Sequence, residues 1–519
     1  AQLGLDGLAE QVPEAELAAL RTWAAGSETG DRAELDHEPS MAAWAAVSVS
    51  SRECPGAGSC PSGAACFAEA ARARAAEADI VVVNLHLLGL DLGAGGAILP
   101  ECDLVVIDEA HQLEDVVSAT AGAEISAGRF GDLARKLRGV VADATLTADV
   151  DDAGRLLAEA LRPYRGQRLA GDLPDDVAGA LAVARGRVEK ALAAARALPD
   201  DAPEELRTRS VRLQLAGTAL LDDMAAANRA CGTDAPSADE VVWVEGPDAA
   251  PVLRVAPLDV ADLLRAMLWD RRSAVLTSAT LPARLGTRLG LAETDHDTAD
   301  VASPFDYGTN ALLYCAAHLP DPRQPAYLEA MLAELGGLVE AAGGRTLGLF
   351  TSFRVLDAAV EALRDRLDVP LLSQRDLPKP RLVERFAADP RTCLFATMGF
   401  WQGVDVPGPS LSLVAIDRIP FPRPDEPLLA ARRERAGAGA FGLIDLPRAT
   451  TLLAQGAGRL IRTATDRGVV AILDPRLATA RYRWEVVRAL PPMRRTKDPA
   501  VARAYLAALA NAEATEAPG

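Results

Sequence analysis

No stretch of this chain is apolar for long enough to cross a bilayer. Residues 80–99 come nearest, and Asn84, His86 and Asp91 interrupt them. No secretory leader opens the sequence, so a cytoplasmic location and no membrane partner are expected. Positive charge is also in deficit: 54 Lys and Arg face 73 Asp and Glu, for a net charge of −19. That balance excludes a generally adhesive nucleic-acid binder. It leaves room for a narrow basic groove, because local charge decides there. Cysteines number seven, with none in residues 1–53. Finally, no Gly-x-x-x-x-Gly-Lys-Thr/Ser occurs anywhere, so these residues contain no phosphate-cradling loop with its lysine.

What is present is ample apolar material. Hydrophobic residues make up 49% of 519. That suffices for large cores, is too long for one core, and excludes a disordered chain. The most informative stretch is Asp103–His111, Asp-Leu-Val-Val-Ile-Asp-Glu-Ala-His. Leu104–Ile107 is a short β-branched run that predicts a fully buried strand of a parallel sheet. Asp108 and Glu109 fall at its carboxyl end, where open α/β sheets place ligands. Adjacent carboxylates there suit a magnesium–nucleotide site: Asp108 to hold Mg²⁺ through water, Glu109 to orient or deprotonate an attacking water. Four apolar residues followed by Asp-Glu-Ala-His form a DEAH-type Walker B pattern.

Cys54, Cys60 and Cys66 stand at equal spacing in a Gly- and Pro-rich loop. In a cytosolic protein that favours a metal or cluster over disulfides. The spacing is not the Cys-x-x-Cys of zinc ribbons, and an iron–sulfur cluster wants four thiolates. Iron–sulfur, zinc and inert thiols therefore all stay open on spacing alone. Cys102 reads better as a small buried apolar residue than as a fourth ligand.

The chain opens with a helix over Ala15–Ala25 and a turn-rich loop over Gly26–Asp31. Phe67–Ala78 predicts a helix. Ile80–Val83 predicts a second buried strand, with His86 beyond it as a nucleic-acid contact, a nucleotide contact or a cap. From Gln112 to about Arg229 the periodicity is helical almost throughout, an all-helical insertion. Val241–Glu245 and Val252–Val255 predict a hairpin, and Ala274–Leu276 a strand ending in Thr277-Ser278-Ala279-Thr280. A second α/β unit follows. Its strands are Thr346–Phe350, Leu394–Ala396, Leu413–Ile416 and, last, Val469–Leu473. Helix Arg448–Ile461 carries the run Gln455-Gly456-Ala457-Gly458-Arg459-Leu460-Ile461-Arg462, whose two arginines three apart are expected on one helix face. They suit an arginine-finger role, stabilising charge on a transferring phosphoryl group. Phe353, Phe400 and Trp401 serve equally as stacking aromatics or core.

Taken together, these motifs resemble the DinG/XPD-type iron–sulfur DNA helicases of superfamily 2, in the family's order and over nearly the whole chain. Thr29-Gly30-Asp31-Arg32 is similar to the early segment and Glu53–Phe67 to the cluster domain. Asp108–His111, Ser278-Ala279-Thr280, Gly403-Val404-Asp405 and Gln455–Arg462 are similar to motifs II, III, V and VI. The resemblance implies an α/β fold: two RecA-like parallel-sheet motor domains, the first carrying an iron–sulfur insertion and an all-helical arch insertion. It implies motor domain 1 at 1–50, 79–114 and 241–300, a cluster domain at 51–78, an arch at 115–240 and motor domain 2 at 301–519. ATP and Mg²⁺ would lie between Asp108 and Glu109 of one motor domain and Arg459 and Arg462 of the other. Gln455 would contact the nucleotide or the attacking water, and Asp405 would sense the nucleotide. His111, with Ser278 and Thr280, would couple hydrolysis to DNA contact. Cys54, Cys60 and Cys66 would hold a 4Fe-4S cluster whose fourth ligand is not in this chain. The implied activity is ATP-dependent 5′-to-3′ translocation on single-stranded or forked DNA in repair or replication, by a monomer.

The departures are the missing phosphate loop and the missing first cysteine. Both are expected to lie in an amino-terminal part preceding Ala1, without which the chain is expected to be inactive as an ATPase. The competing readings are a DEAH-type RNA helicase and a non-catalytic nucleic-acid-binding remnant. The cysteine loop ahead of the DEAH box argues against the first, and the Asp108, Glu109, Arg459 and Arg462 set against the second.

Overall fold

The structure is a computed structural model of the chain. It describes residues 13–35, 38–49, 54, 56–60, 62–199, 201–231, 239–282, 284–397, 400 and 411–516. The chain divides into two compact units: residues 1–276, 286–293 and 425–431, and residues 277–285, 294–424 and 432–519.

In the first unit, strand β1 (Leu104–Ile107) forms where its β-branched run predicts it. An antiparallel sheet follows, built from β2 (Ala123–Ser126), β3 (Arg168–Leu169), β4 (Glu240–Glu245) and β5 (Val252–Pro257) in the order β2-β5-β4-β3. Four helices pack on it: Ala127–Arg138, Ala144–Leu161, Asp175–Arg196 and Glu204–Ala230. One core joins sheet and helices, with Ile125, Val244 and Leu253 meeting Phe130, Leu157 and Leu213. This corrects the all-helical expectation. The Ala-Glu-Ile-Ser strand is too short for a period-2 signal to stand out, yet it alternates buried and half-buried residues against β5. The 241–255 hairpin thus shares its core with the helical layer.

Strand β6 (Ser273–Leu276) pairs in parallel with β1, Ile107 facing Leu276. Full burial of β1 is not observed: Leu104 and Val106 are 53% and 61% exposed. Nor do residues 80–83 form a strand; Ile80 and Val82 lie exposed in extended chain ahead of the helix Leu85–Gly93. The physical reason is shared. Apolar composition states that a strand must be covered, but covering requires neighbouring strands and helices. Among the described residues β1 has only β6 beside it. Cys102, just before β1, is likewise exposed rather than buried, and Arg272 Nη1 donates to its sulfur at 3.2 Å.

The second unit is a seven-stranded, wholly parallel sheet. Its strands are β7 (Ala311–Cys315), β8 (Thr346–Phe350), β9 (Leu371–Ser373), β10 (Cys393–Thr397), β11 (Leu413–Ile416), β12 (Gly468–Ile472) and β13 (Arg494–Thr496). They run in the order β13-β7-β12-β11-β8-β10-β9. Five of them are buried along their whole length, so the sequence shows continuous apolar runs rather than alternation. Separate cores line the two faces: Leu347, Val414 and Ile472 on one, Phe350, Phe395 and Tyr314 on the other. β12 is not the last strand, because Arg494–Thr496 pairs with β7. Two adjacent arginines in a three-residue strand carry no apolar signal, so only pairing reveals it. Among the described residues no helix is long and apolar enough to cross a membrane.

Candidate functional site

Chemistry in the first unit gathers at the carboxyl end of β1. Glu109 takes a left-handed backbone conformation, φ 51°, which β-sheet residues avoid and which signals a functional turn. Its amide donates to Asp108 Oδ1 at 2.9 Å, tying the two carboxylates into one tight bend. His111 is nearly buried, with Nδ1 3.3 Å from Glu109 Oε2. Burial pushes the His111 pKa below the usual imidazole value, against the opposing pull of Glu109, Asp115 and Asp108. The ring is therefore neutral at pH 7, and orients Glu109 without neutralising it. Two carboxylates here suit a hard divalent ion, since Mg²⁺ keeps most of its waters and needs one or two protein oxygens.

The cysteine loop lies in the same unit. Cys54, Cys60 and Cys66 are partly exposed free thiols. The loop is tight: a Cβ on Gly63 would clash with the Ala57 carbonyl oxygen. It packs on the early segment, where Gly30 at φ +69° leaves room for the Phe67 ring; a Cβ there would collide with that ring. Arg212 Nη2 reaches Cys60 Sγ at 3.4 Å from the helix Glu204–Ala230. Among the described residues, no group of three or more Cys, His, Asp or Glu side chains is placed to hold a metal ion. The three thiols as placed do not form the cage a four-thiolate cluster needs. His86 caps no helix. It sits in the first turn of Leu85–Gly93, whose N-cap is Asn84, and lines a cavity of about 550 Å³ with Arg129, Lys136 and Arg254.

In the second unit the helix bearing Gln455 is Leu446–Ala457. It stops short of the expected end at Ile461, because Gly456 and Gly458 leave the last turn weakly propped. Arg459 and Arg462 therefore lie in the turn beyond the helix, not on one helix face. Leu460 and Ile461 between them are buried anchors. The turn is locked by Asp466, whose carboxylate accepts from the amides of Arg462 and Thr463 at 2.7 and 2.8 Å and from Thr463 Oγ1 at 2.7 Å. Asp466 belongs to none of the motifs. A Thr-x-x-Asp step closing a loop is the signal that would have found it. Gln455 is buried on its helix. Asp405 and Trp401 lie outside the described residues. Ser278 Oγ accepts from the Thr280 amide at 3.4 Å, so this turn is held by its own hydroxyl.

Three adjacent strands of this sheet, β12, β11 and β8, end in a buried polar network the motifs did not reveal. Asp417 follows β11 and is 1% exposed. Its carboxylate accepts from Thr351 N at 3.0 Å and Thr351 Oγ1 at 2.9 Å. Arg418 Nε in turn donates to Thr351 Oγ1 at 2.6 Å. Burial pushes the Asp417 carboxyl up to about 6, with Arg418 and the Thr351 hydrogen bonds pulling it down. Asp474, after β12, holds Arg476 through Nε and Nη2 and caps the Ile419 amide at 3.0 Å. Beside them Phe353 stays 45% exposed with the Arg375 guanidinium 4.5 Å over its ring. Phe400 is core.

Comparison with known proteins agrees with this layout. The family of helicase C-terminal domains matches residues 335–493. The ATP-dependent helicase DinG of Mycobacterium tuberculosis is 44% identical over 95% of this chain and 76% of its own length. The ATP-dependent DNA helicase YoaA of Escherichia coli is 34% identical over 94% of this chain and 78% of its own. Among solved structures, an XPD helicase superposes with a TM-score of 0.50 at 16% identity, over 77% of this chain and 70% of its own, which supports the fold alone. With its DEAH turn, its parallel seven-stranded unit and relatives of this identity and coverage, the chain belongs to the DinG/YoaA family of ATP-dependent helicases.

Proposed function

We propose that the protein is an ATP-driven motor that moves 5′ to 3′ along single-stranded DNA and opens forks during repair or replication. The observation that carries this reading is the Asp108–Glu109–His111 bend. It puts a strained, histidine-oriented carboxylate beside a second carboxylate at a parallel strand end. Asp108 would hold Mg²⁺, which would supply charge stabilisation to the nucleotide's phosphates when bound. Glu109 accepts the proton of the attacking water, and neutral His111 keeps its carboxylate aimed. Arg462, whose backbone amide is held by Asp466, and Arg459 supply positive charge for the transferring phosphoryl group, and Gln455 and Asp405 complete the nucleotide contacts. Ser278 and Thr280 link hydrolysis to the DNA strand, and Phe353 offers a base-stacking face. The relatives' names favour DNA over RNA.

The test is DNA-stimulated ATP hydrolysis and strand displacement on duplexes with a 5′ or a 3′ single-stranded tail. Because these 519 residues hold no Gly-x-x-x-x-Gly-Lys-Thr/Ser, the assay is run on a form of the protein that includes such a loop. Displacement only with 5′ tails is expected; displacement only with 3′ tails, or ATP hydrolysis blind to DNA, would reject the reading. Cys54, Cys60 and Cys66 are proposed as cluster ligands on the resemblance to the iron–sulfur helicases, not on their spacing. Iron and acid-labile sulfide measured on anaerobically purified protein decide it: about four of each per chain supports iron–sulfur, and zinc or neither removes it.

A further inference from the structure

The seventeen residues 481–497 reverse the charge of the molecule. They carry Arg481, Arg483, Arg488, Arg494, Arg495 and Lys497 against one acid, Glu485, in a chain of net charge −19. Many arginines elsewhere in the second unit are ion-paired: Arg375 with Asp357, Arg433 with Asp445, Arg476 with Asp474, Arg503 with Glu334. Among the described residues none of the six cations of 481–497 is within salt-bridge distance of a carboxylate, and five of them are exposed. At the centre is Trp484, in the first turn of the helix Arg483–Ala489 and 49% exposed. The guanidinium carbons of Arg483 and Arg495 lie 5.5 and 5.7 Å from its ring centroid. Packing does not require an indole here, because Val486, Leu490 and Met493 already fill the core from this segment.

We propose that residues 481–497 form a docking surface for single-stranded nucleic acid, with Trp484 stacking on a base and the surrounding arginines meeting the phosphates. Every base presents a π-face, so an exposed indole binds single strands whatever their sequence. A guanidinium stacked on a ring keeps N–H donors for phosphate oxygens that carboxylate pairing would consume; Arg483 spends one Nη1 donor on the Ala480 carbonyl at 3.0 Å and keeps the others. Arg495 lies on β13, the edge strand of the sheet, and Arg494 stacks on Tyr505 at 5.5 Å. Protection of an open edge would account for two charged residues on that strand. It does not account for Arg481, Arg488 or an indole left in solvent on the neighbouring helix. The inference rests on the reading of the chain as a DNA helicase, and it adds a surface outside every motif of that reading.

The experiment is equilibrium binding of the 519-residue chain to a fluorescent oligo-dT, across a series of salt concentrations. Trp484→Ala and the triple variant Arg481→Ser/Arg488→Ser/Arg495→Ser are compared with the parent, and circular dichroism confirms that each is folded. Trp484→Ala is expected to weaken binding about 5- to 100-fold with the salt slope retained. The triple variant is expected to flatten the slope of log K against log salt by about 2, from roughly 0.7 for each single-strand phosphate no longer neutralised. Failure of the parent chain to bind oligo-dT would overturn this inference and leave the helicase reading to the strand-displacement test above. Binding by the parent that neither variant changes would overturn this inference alone. So would a parent that prefers blunt duplex or polyglutamate-competed sites insensitive to Trp484, since those outcomes leave only unspecific charge.

Discussion

Replacing Asp417 by Asn tests whether the buried network at the end of β11 is electrostatically costly, as its geometry demands. Asp417 is 1% exposed, and burial lifts its carboxyl from 3.8 to about 6. The folded chain thus binds this proton more tightly than the unfolded chain does. The contribution of Asp417 to stability is most favourable below about 3.8 and is lost as pH rises through about 6. A proton affinity raised about a hundredfold corresponds to about 3 kcal/mol. Asn cannot titrate, so the stability of Asp417→Asn relative to the parent should rise by about 2 kcal/mol between pH 4 and 7, most of that total, other carboxylates cancelling in the difference. The absolute level starts low. The Asn amide nitrogen would stand where a carboxylate oxygen accepts from Thr351 Oγ1, leaving that hydroxyl proton without its acceptor, at about 1–3 kcal/mol. The assay is amide hydrogen exchange of peptides spanning β8 and β11, corrected for intrinsic rates at each pH, because a chain of two compact units does not unfold in one step. A relative stability that is flat within about 1 kcal/mol, or that falls with pH, would refute the proposed cost of burying this carboxylate.

Glu109→Gln should lower DNA-stimulated ATP hydrolysis by about 10² to 10⁴ while Mg-nucleotide binding persists, since the amide keeps the shape and loses the base; an unchanged rate assigns proton transfer elsewhere. Arg462→Ala should reduce turnover by about 10³, and Asp466→Asn by a smaller factor, on the order of 10, because it loosens the turn without removing the charge. Equal losses in turnover and affinity for Asp466→Asn would place Asp466 in binding rather than positioning. Gly30→Ala should destabilise the packing against the cysteine loop by about 1–3 kcal/mol, since φ is +69° and the new Cβ meets the Phe67 ring; faster proteolysis within 27–67 is the readout. Protonation of His111 in acid should turn its contact with Glu109 into an ion pair and weaken that carboxylate as a base. Burial holds the His111 pKa below the usual imidazole value, so the loss of activity should set in only below that usual value, as a pH–rate profile of the parent against His111→Gln would show.

Much of this protein is written locally. Leu104–Ile107, Thr346–Phe350 and Leu413–Ile416 are short β-branched or apolar runs, and each is a strand at the predicted residues. The acidic pair at the end of β1 needs only its neighbours to be placed, because a strand end and a tight turn are properties of nine consecutive residues. Helix periodicity likewise set the long helices between Ala127 and Ala230. Family membership followed from motif order, which is one-dimensional information.

The rest depends on partners distant in sequence. Whether an apolar run is buried is a property of what lies beside it, and Ile80, Val82, Leu104 and Val106 are exposed because their neighbours are few. Ala123–Ser126 became a strand only by meeting Val252–Val255, some 130 residues on. The end of the Gln455 helix was set by two glycines and by Leu460 and Ile461 finding the core, which moved Arg459 and Arg462 off the helix face. Asp417, Thr351 and Arg418 are 66 or more residues apart except for one peptide bond, and no spacing rule joins them. The exposed Trp484 among its arginines needed three-dimensional placement as well, since sequence alone cannot tell an indole in the core from one in water. Local propensity chooses elements, whereas burial, pairing and charge neutralisation are long-range sums that only the folded chain evaluates.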